Sequence, residues 1–179
     1  MDNFTQEKPI GDGKRAPVGF SDSINQLYAD EQCARTTGEK FVVFFLCEKL
    51  YGIPAREVAE VSQPPAIAAL PNAPEWLSGI GNLRGEIIAI VNLPKIIGEN
   101  SEVSTAKTKL IVLKAENYDT AIAFPVDKLS EIVVEHDKKI EAAGEDDSPF
   151  IHAKFVHQLN VVHLIDCDKL LTSLTIDII

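Results

Sequence analysis

The chain has 179 residues, 45% of them hydrophobic, and a formal net charge of −10. That apolar share supports one compact core or two small ones and excludes a wholly disordered chain. The acidic balance, with no Lys/Arg cluster interleaved with aromatics, argues against nucleic-acid binding and adhesion to anionic lipid.

Residues 1–39 read as an N-terminal extension. Pro9, Gly11, Gly13, Pro17 and Gly19 punctuate its first twenty residues, which are expected to be disordered. The same stretch lacks a basic-then-apolar leader, so a cytoplasmic protein is expected. Phe20, Ile24, Leu27 and Tyr28 follow helical spacing, which predicts a helix within 21–35 capped by Ser21. Packing on the domain is favoured over partner docking for that helix.

From 40 to 179 the pattern is one of short strands. Phe41–Cys47 (FVVFFLC) is β-branched and aromatic, Glu48-Lys49 turns it, and LYGIP returns as a hairpin. REVAEV follows, with Val58 and Val61 on either side of Glu60. Pro64, Pro65, Pro71 and Pro74 then mark an extended loop, with one helical turn expected at EWLSG. IGNLRGEIIAIVNL predicts two strands joined at Asn82–Gly85, and Gly98–Lys107 a polar loop between two halves. The second half repeats the style of the first: KLIVLKA, a turn at Asn117–Asp119, TAIAFPV, SEIVVEH, a charged loop, then FIHAKFVH and NVVHLID. DKLLTS predicts a short helix, and LTIDII a last strand or an exposed tail. Many short strands with close turn signals mean an all-β barrel or sandwich, and two similar halves suggest two small barrels sharing one core.

Catalytic signals are missing. No nucleophile-elbow, zinc-protease or phosphate-loop pattern occurs. Cys33, Cys47 and Cys167 are odd in number and far apart, which fits neither a disulfide framework nor a zinc site. His157 and His163 could face each other across the last hairpin beside Asp166, but such histidines usually pack or hydrogen-bond. No enzyme activity, cofactor or metal is expected. The longest apolar runs fall short of the about 20 residues a membrane-spanning helix needs.

Four collinear segments carry a resemblance. Leu70-Pro71, Gly79, Asn82-Leu83-Arg84-Gly85 and Asn92-Leu93 resemble the signature of the CheW family. FVVFFLCEKLYGIPAREVAEV, with Val58, Glu60 and Val61, is similar to the family's first hairpin and its exit. IAFPVDKLSEIV, with Val126-Asp127, is similar to a second-half strand, and FIHAKFVHQLNVVHLIDCDKLL to the closing hairpin and helix. The resemblance covers roughly Glu39 to Leu171.

It implies two intertwined five-stranded, SH3-like β-barrels with a short C-terminal helix, and a non-catalytic adaptor. Such an adaptor couples methyl-accepting chemoreceptors to a CheA-type histidine kinase, and would be cytoplasmic but recruited to membrane receptor arrays. The implied partners are the kinase's regulatory domain and the receptor's cytoplasmic tip, gripped between the barrels. The implied partner-binding residues are Val58, Glu60, Gly79, Asn82, Arg84 and Gly85. Val58 would offer apolar area, Gly79 room for a partner backbone, and Arg84 a fork for carboxylates or helix-end carbonyls. The bland alternatives are an Arg84 tie to Glu60 or Glu86, and turn geometry for Asn82, Gly79 and Gly85. Departures from the pattern are Gly81, Asn92, Ala153 and the glycine-free turn Gln158-Leu159-Asn160, close to where family members touch the kinase. These, and the long extension, point to a specialised member serving twitching motility or phototaxis, or to an array component that does not bind the kinase.

Overall fold

A computed structural model describes residues 38–99, 109–114, 121–136 and 139–176. The chain divides into two units, 1–32 and 33–179, and every described residue lies in the second. The expected disorder and helix of the extension, most of the inter-half loop and the turn at Asn117–Asp119 lie outside the described residues.

The first half runs β1 (Glu39–Leu46), β2 (Lys49–Pro54), a 3₁₀ turn (Ala55–Glu57), β3 (Val58–Ser62), β4 (Ile67–Ala68), β5 (Leu77–Leu83), β6 (Glu86–Val91) and helix α1 (Leu93–Ile97). The second half runs β7 (Lys109–Leu113), β8 (Ala121–Val126), β9 (Lys128–Glu135), β10 (Glu141–Ala142), β11 (Ile151–His157), β12 (Asn160–Ile165) and helix α2 (Cys167–Ile176). One sheet has the order β10-β11-β12-β2-β1-β9 and the other β3-β7-β8-β6-β5-β4. Each sheet therefore takes two strands from one half and four from the other, which is the intertwining the resemblance implied. Five strands per sheet are substantial, and the sixth in each is the two-residue β4 or β10.

The halves correspond element by element. In both, two strands form a hairpin, the chain crosses to the other sheet, and the sixth strand pairs in parallel with the other half's second strand: β12 with β2, β6 with β8. Parallel pairing requires a long crossover: α1 and β7 lie between β6 and β8, and every element from β3 to β11 lies between β2 and β12.

The apolar run of β1 follows from this layering. Phe41 and Val43 join a cluster with Leu50, Phe155, Val162 and Leu164 inside the first sheet's unit. On the opposite face Phe44 is fully buried, its ring centroid 5.9 Å from that of Phe124 on β8 of the other sheet. Buried on both faces, β1 shows no polar alternation. Ile88, Ile90, Leu110, Val112 and Ala123 form the second sheet's cluster.

Several expectations change. EWLSG is not a helical turn: Leu77–Gly79 open β5. The expected extended loop and charged loop contain β4 and β10. Helix α1 had no strong sequence signal, because five residues span little more than one turn. Helix α2 continues to Ile176, so Leu174–Ile176 form neither a strand nor a tail. Asn92 and Asp166 hold matching places as N-caps: Asn92 Oδ1 accepts from Lys95 N at 3.3 Å, Asp166 Oδ1 from Lys169 N at 2.9 Å.

Candidate functional site

Val58 and Val61 are three apart, yet both are buried. On a regular strand they would face opposite ways. A register shift between Val58 and Glu60 in the β3–β7 ladder inserts Ala59 as an extra residue. The bulge turns both valines inward and leaves Glu60 half-buried at the surface. Val58, at 0% exposure, therefore offers no apolar area to a partner, contrary to expectation.

The hairpin of β5 and β6 closes through Arg84 (φ 53°) and Gly85 (φ 95°), the positive-φ pair of a two-residue type I′ turn. Asn82 Oδ1 accepts a hydrogen bond from Gly85 N at 2.9 Å, locking the turn. Arg84 Nη1 lies 3.0 Å from Glu60 Oε2, with the arginine side chain 72% exposed. Of the two ties considered for Arg84, the structure shows the one to Glu60. An exposed pair of this kind is worth about 0–1 kcal/mol, so it orients Arg84 more than it holds the fold. Glu60 Oε1 is shielded from solvent and has no hydrogen-bond partner among the described residues.

Gly79 is buried, with φ 144°. A Cβ there would sit 2.4 Å from Ala68 O and 2.9 Å from Ile67 Cγ2. The backbone that approaches this glycine is the chain's own β4. Gly81 is likewise closed over, by Pro65 and Ile90.

Glu60, Arg84, Asn82 and Gly85 thus come together at one tip, with Val58 and Gly79 supporting it from beneath. Beside them lies a cleft of about 470 Å³ lined by Ala59, Leu83, Lys114 and Ala121 among others. Ile87, opposite Asn82 in the hairpin and 55% exposed, adds the apolar surface that Val58 does not. Sequence reasoning missed it because Ile87 sits in an unbroken run, Ile87–Val91, where alternation cannot tell inward from outward.

A second tip repeats the arrangement. Gln158 (φ 46°) and Leu159 (φ 67°) close β11 to β12. Glu131 on β9 accepts from Gln158 Nε2 at 3.2 Å and meets His157 Nε2 at 3.1 Å. Val156 and Val161 stand opposite each other, 64% and 46% exposed, and Leu159 is 99% exposed.

The histidines do not form the triad considered from sequence. His157 pairs with Asn160 and His163 with Lys154 across the ladder, while Asp166 caps α2. Burial pushes the Cys167 thiol up to about 12, helped by Glu57, Asp166 and Asp168, so it behaves as an apolar core group. Among the described residues no cluster of three His, Cys, Asp or Glu could hold a metal, and no helix is long and apolar enough to cross a membrane.

Residues 40–175 match the family model described as the CheW-like domain. Chemotaxis protein CheW of Bacillus subtilis is 27% identical over 109 residues, 61% of this chain and 69% of that protein. Chemotaxis protein CheW of Treponema pallidum is 25% identical over 168 residues, 89% of each. Protein PilI of Pseudomonas aeruginosa is 30% identical over 118 residues, 60% of this chain and 61% of that protein. Among solved structures, the scaffolding protein TtCheW from Thermoanaerobacter tengcongensis superposes with a TM-score of 0.66 at 26% identity, covering 76% of this chain and 88% of that one.

Proposed function

We propose that this chain, which belongs to the CheW-like family, is a non-catalytic adaptor coupling the cytoplasmic tips of methyl-accepting chemoreceptors to a CheA-type histidine kinase in a chemotaxis-type pathway. It works in the cytoplasm and is recruited to membrane receptor arrays. The observation that carries the reading is the first tip: Arg84 held out by Glu60 on a locked turn, flanked by Ile87 and the cleft. A positioned guanidinium beside apolar surface suits a helical partner, whose apolar face packs while carboxylates or end carbonyls meet the arginine. Glu60, Asn82, Arg84 and Gly85 are assigned to that contact, and Val58 and Gly79 to supporting it.

Calorimetric titration against the kinase's regulatory domain and against a receptor-tip fragment from the same organism tests this. Saturable one-to-one binding, lost in a folded Arg84→Glu variant, is the expected result. No binding to either partner would sink the proposal.

A second reading draws on the other tip. The exposed Leu159 in a left-handed turn suits a specialised member, for twitching motility or phototaxis, or one that spaces receptors without engaging the kinase. Binding to the receptor fragment alone would select the receptor-spacing role.

A further inference from the structure

Each sheet is joined across the halves by an antiparallel ladder and by one short parallel seam, and the two parallel seams differ in chemistry. In the second sheet Ala89 faces Ile122 and Ile90 faces Ala123. In the first, the matching place of Ala89 and Ile122 is taken by His163 and Tyr51. Their rings lie 5.6 Å apart between centroids, tilted by 39°.

Charged groups from every neighbouring element surround this pair. From β2, Lys49 Nζ donates to Glu99 Oε1 at 2.6 Å, and Tyr51 Oη donates to the same oxygen at 3.0 Å. Glu99 lies just past α1, so it ties the exit of the other sheet's helix to this seam. From β11, Lys154 stands directly across from His163. From the β10–β11 loop, Asp147 Oδ1 is 4.0 Å from His163 Nδ1. The Asp147 carboxylate is already engaged, because Oδ2 takes Lys154 Nζ at 2.6 Å and Gly144 N at 2.7 Å. An imidazolium at His163 would therefore arrive in a partly buried place beside two ion pairs, Lys154–Asp147 and Lys49–Glu99, with its nearest carboxylate oxygen, Asp147 Oδ1, beyond hydrogen-bond distance at 4.0 Å.

We propose that this seam is a proton-sensitive latch: protonation of His163 loosens the attachment of β10–β12 to β2, while the apolar seam of the other sheet is unaffected. Burial, then the charges of Lys154 and Lys49, hold His163 below the ordinary histidine value, against the weaker pull of Asp147 and Glu99. The sign follows by linkage. A histidine depressed in the folded state contributes stability above its unfolded value, and that stability is lost as pH falls through about 6.5. The second tip rides on β11 and β12, so the latch would tune the mobility of that tip and leave the first alone.

Residue-resolved hydrogen exchange on the full chain tests this at about pH 7.5 and about pH 5.5. The expected result is a loss of amide protection of about threefold or more at Tyr51, Gly52, His163 and Leu164 relative to Ala89, Ile90, Ile122 and Ala123. A folded His163→Asn variant should abolish that difference. Equal loss at both seams, no loss at either, or persistence of the difference in His163→Asn would each overturn the proposal. Should His163→Asn fail to fold, the wild-type comparison of the two seams decides alone.

Discussion

The two hairpin tips occupy the same place in their respective halves and are built from the same plan. In each, a glutamate on the strand after the crossover reaches the first residue of a positive-φ turn. The contents diverge. The first tip carries a permanent cation, a glycine in the strained position and an asparagine that locks the turn. The second carries Gln158, His157 and a leucine that is both left-handed and almost wholly exposed. The scaffold thus constrains where each tip sits and leaves its charge free to change, because the exposed tip side chains lie outside the core.

The largest test of that comparison lies beneath the tips. β5 and β11 align Gly79 with Ala153, and both ladders shift register there. Gly79→Val should cost about 3 kcal/mol, since the new side chain meets the β4 backbone at a left-handed φ. Ala153→Gly should cost only about 1 kcal/mol. Urea unfolding midpoints measure both, and a mild effect at Gly79 would mean that β4 gives way easily. Next come the caps. Asp166→Ala should cost about 1 kcal/mol and exceed Asn92→Ala, because Asp166 brings a charge to the start of a longer helix over a shorter bond. Leu159→Gly should stabilise the protein by somewhat under about 1 kcal/mol by relieving the left-handed backbone. An unchanged or lowered melting temperature would show that Leu159 has contacts in solution. Arg84→Glu, the change expected to remove binding, should cost no more than about 1 kcal/mol, the loss of its exposed pair with Glu60, read from the same unfolding midpoints.

How much of this was legible beforehand depends on the kind of signal. The long strands and both major hairpins could be read, because β-branched runs bounded by turn residues encode them locally. The resemblance supplied the intertwining, which no local pattern contains, since it depends on which half pairs with which. The resemblance also supplies the cluster of Glu60, Asn82, Arg84 and Gly85, Glu60 from the first-hairpin segment and the rest from the signature. Val58 was misjudged as surface because a bulge, not the strand period, decides its direction. Ile87 was invisible inside its apolar run. The Tyr51–His163 seam could not be read at all, for its members approach only through a parallel pairing of strands from opposite halves.

The exchange of strands also bears on how the chain is made. As synthesis proceeds from the N-terminus, β1 and β2 leave the ribosome long before β9 and β12 exist to flank them. Phe41 must wait for Val133, and Leu50 for Val162. Until then a nascent hairpin apolar on both faces stands with its edges open, the condition most exposed to aggregation and to slow, non-local folding. Neither half can mature first and template the other. The domain should therefore complete its fold only after β12 has been released.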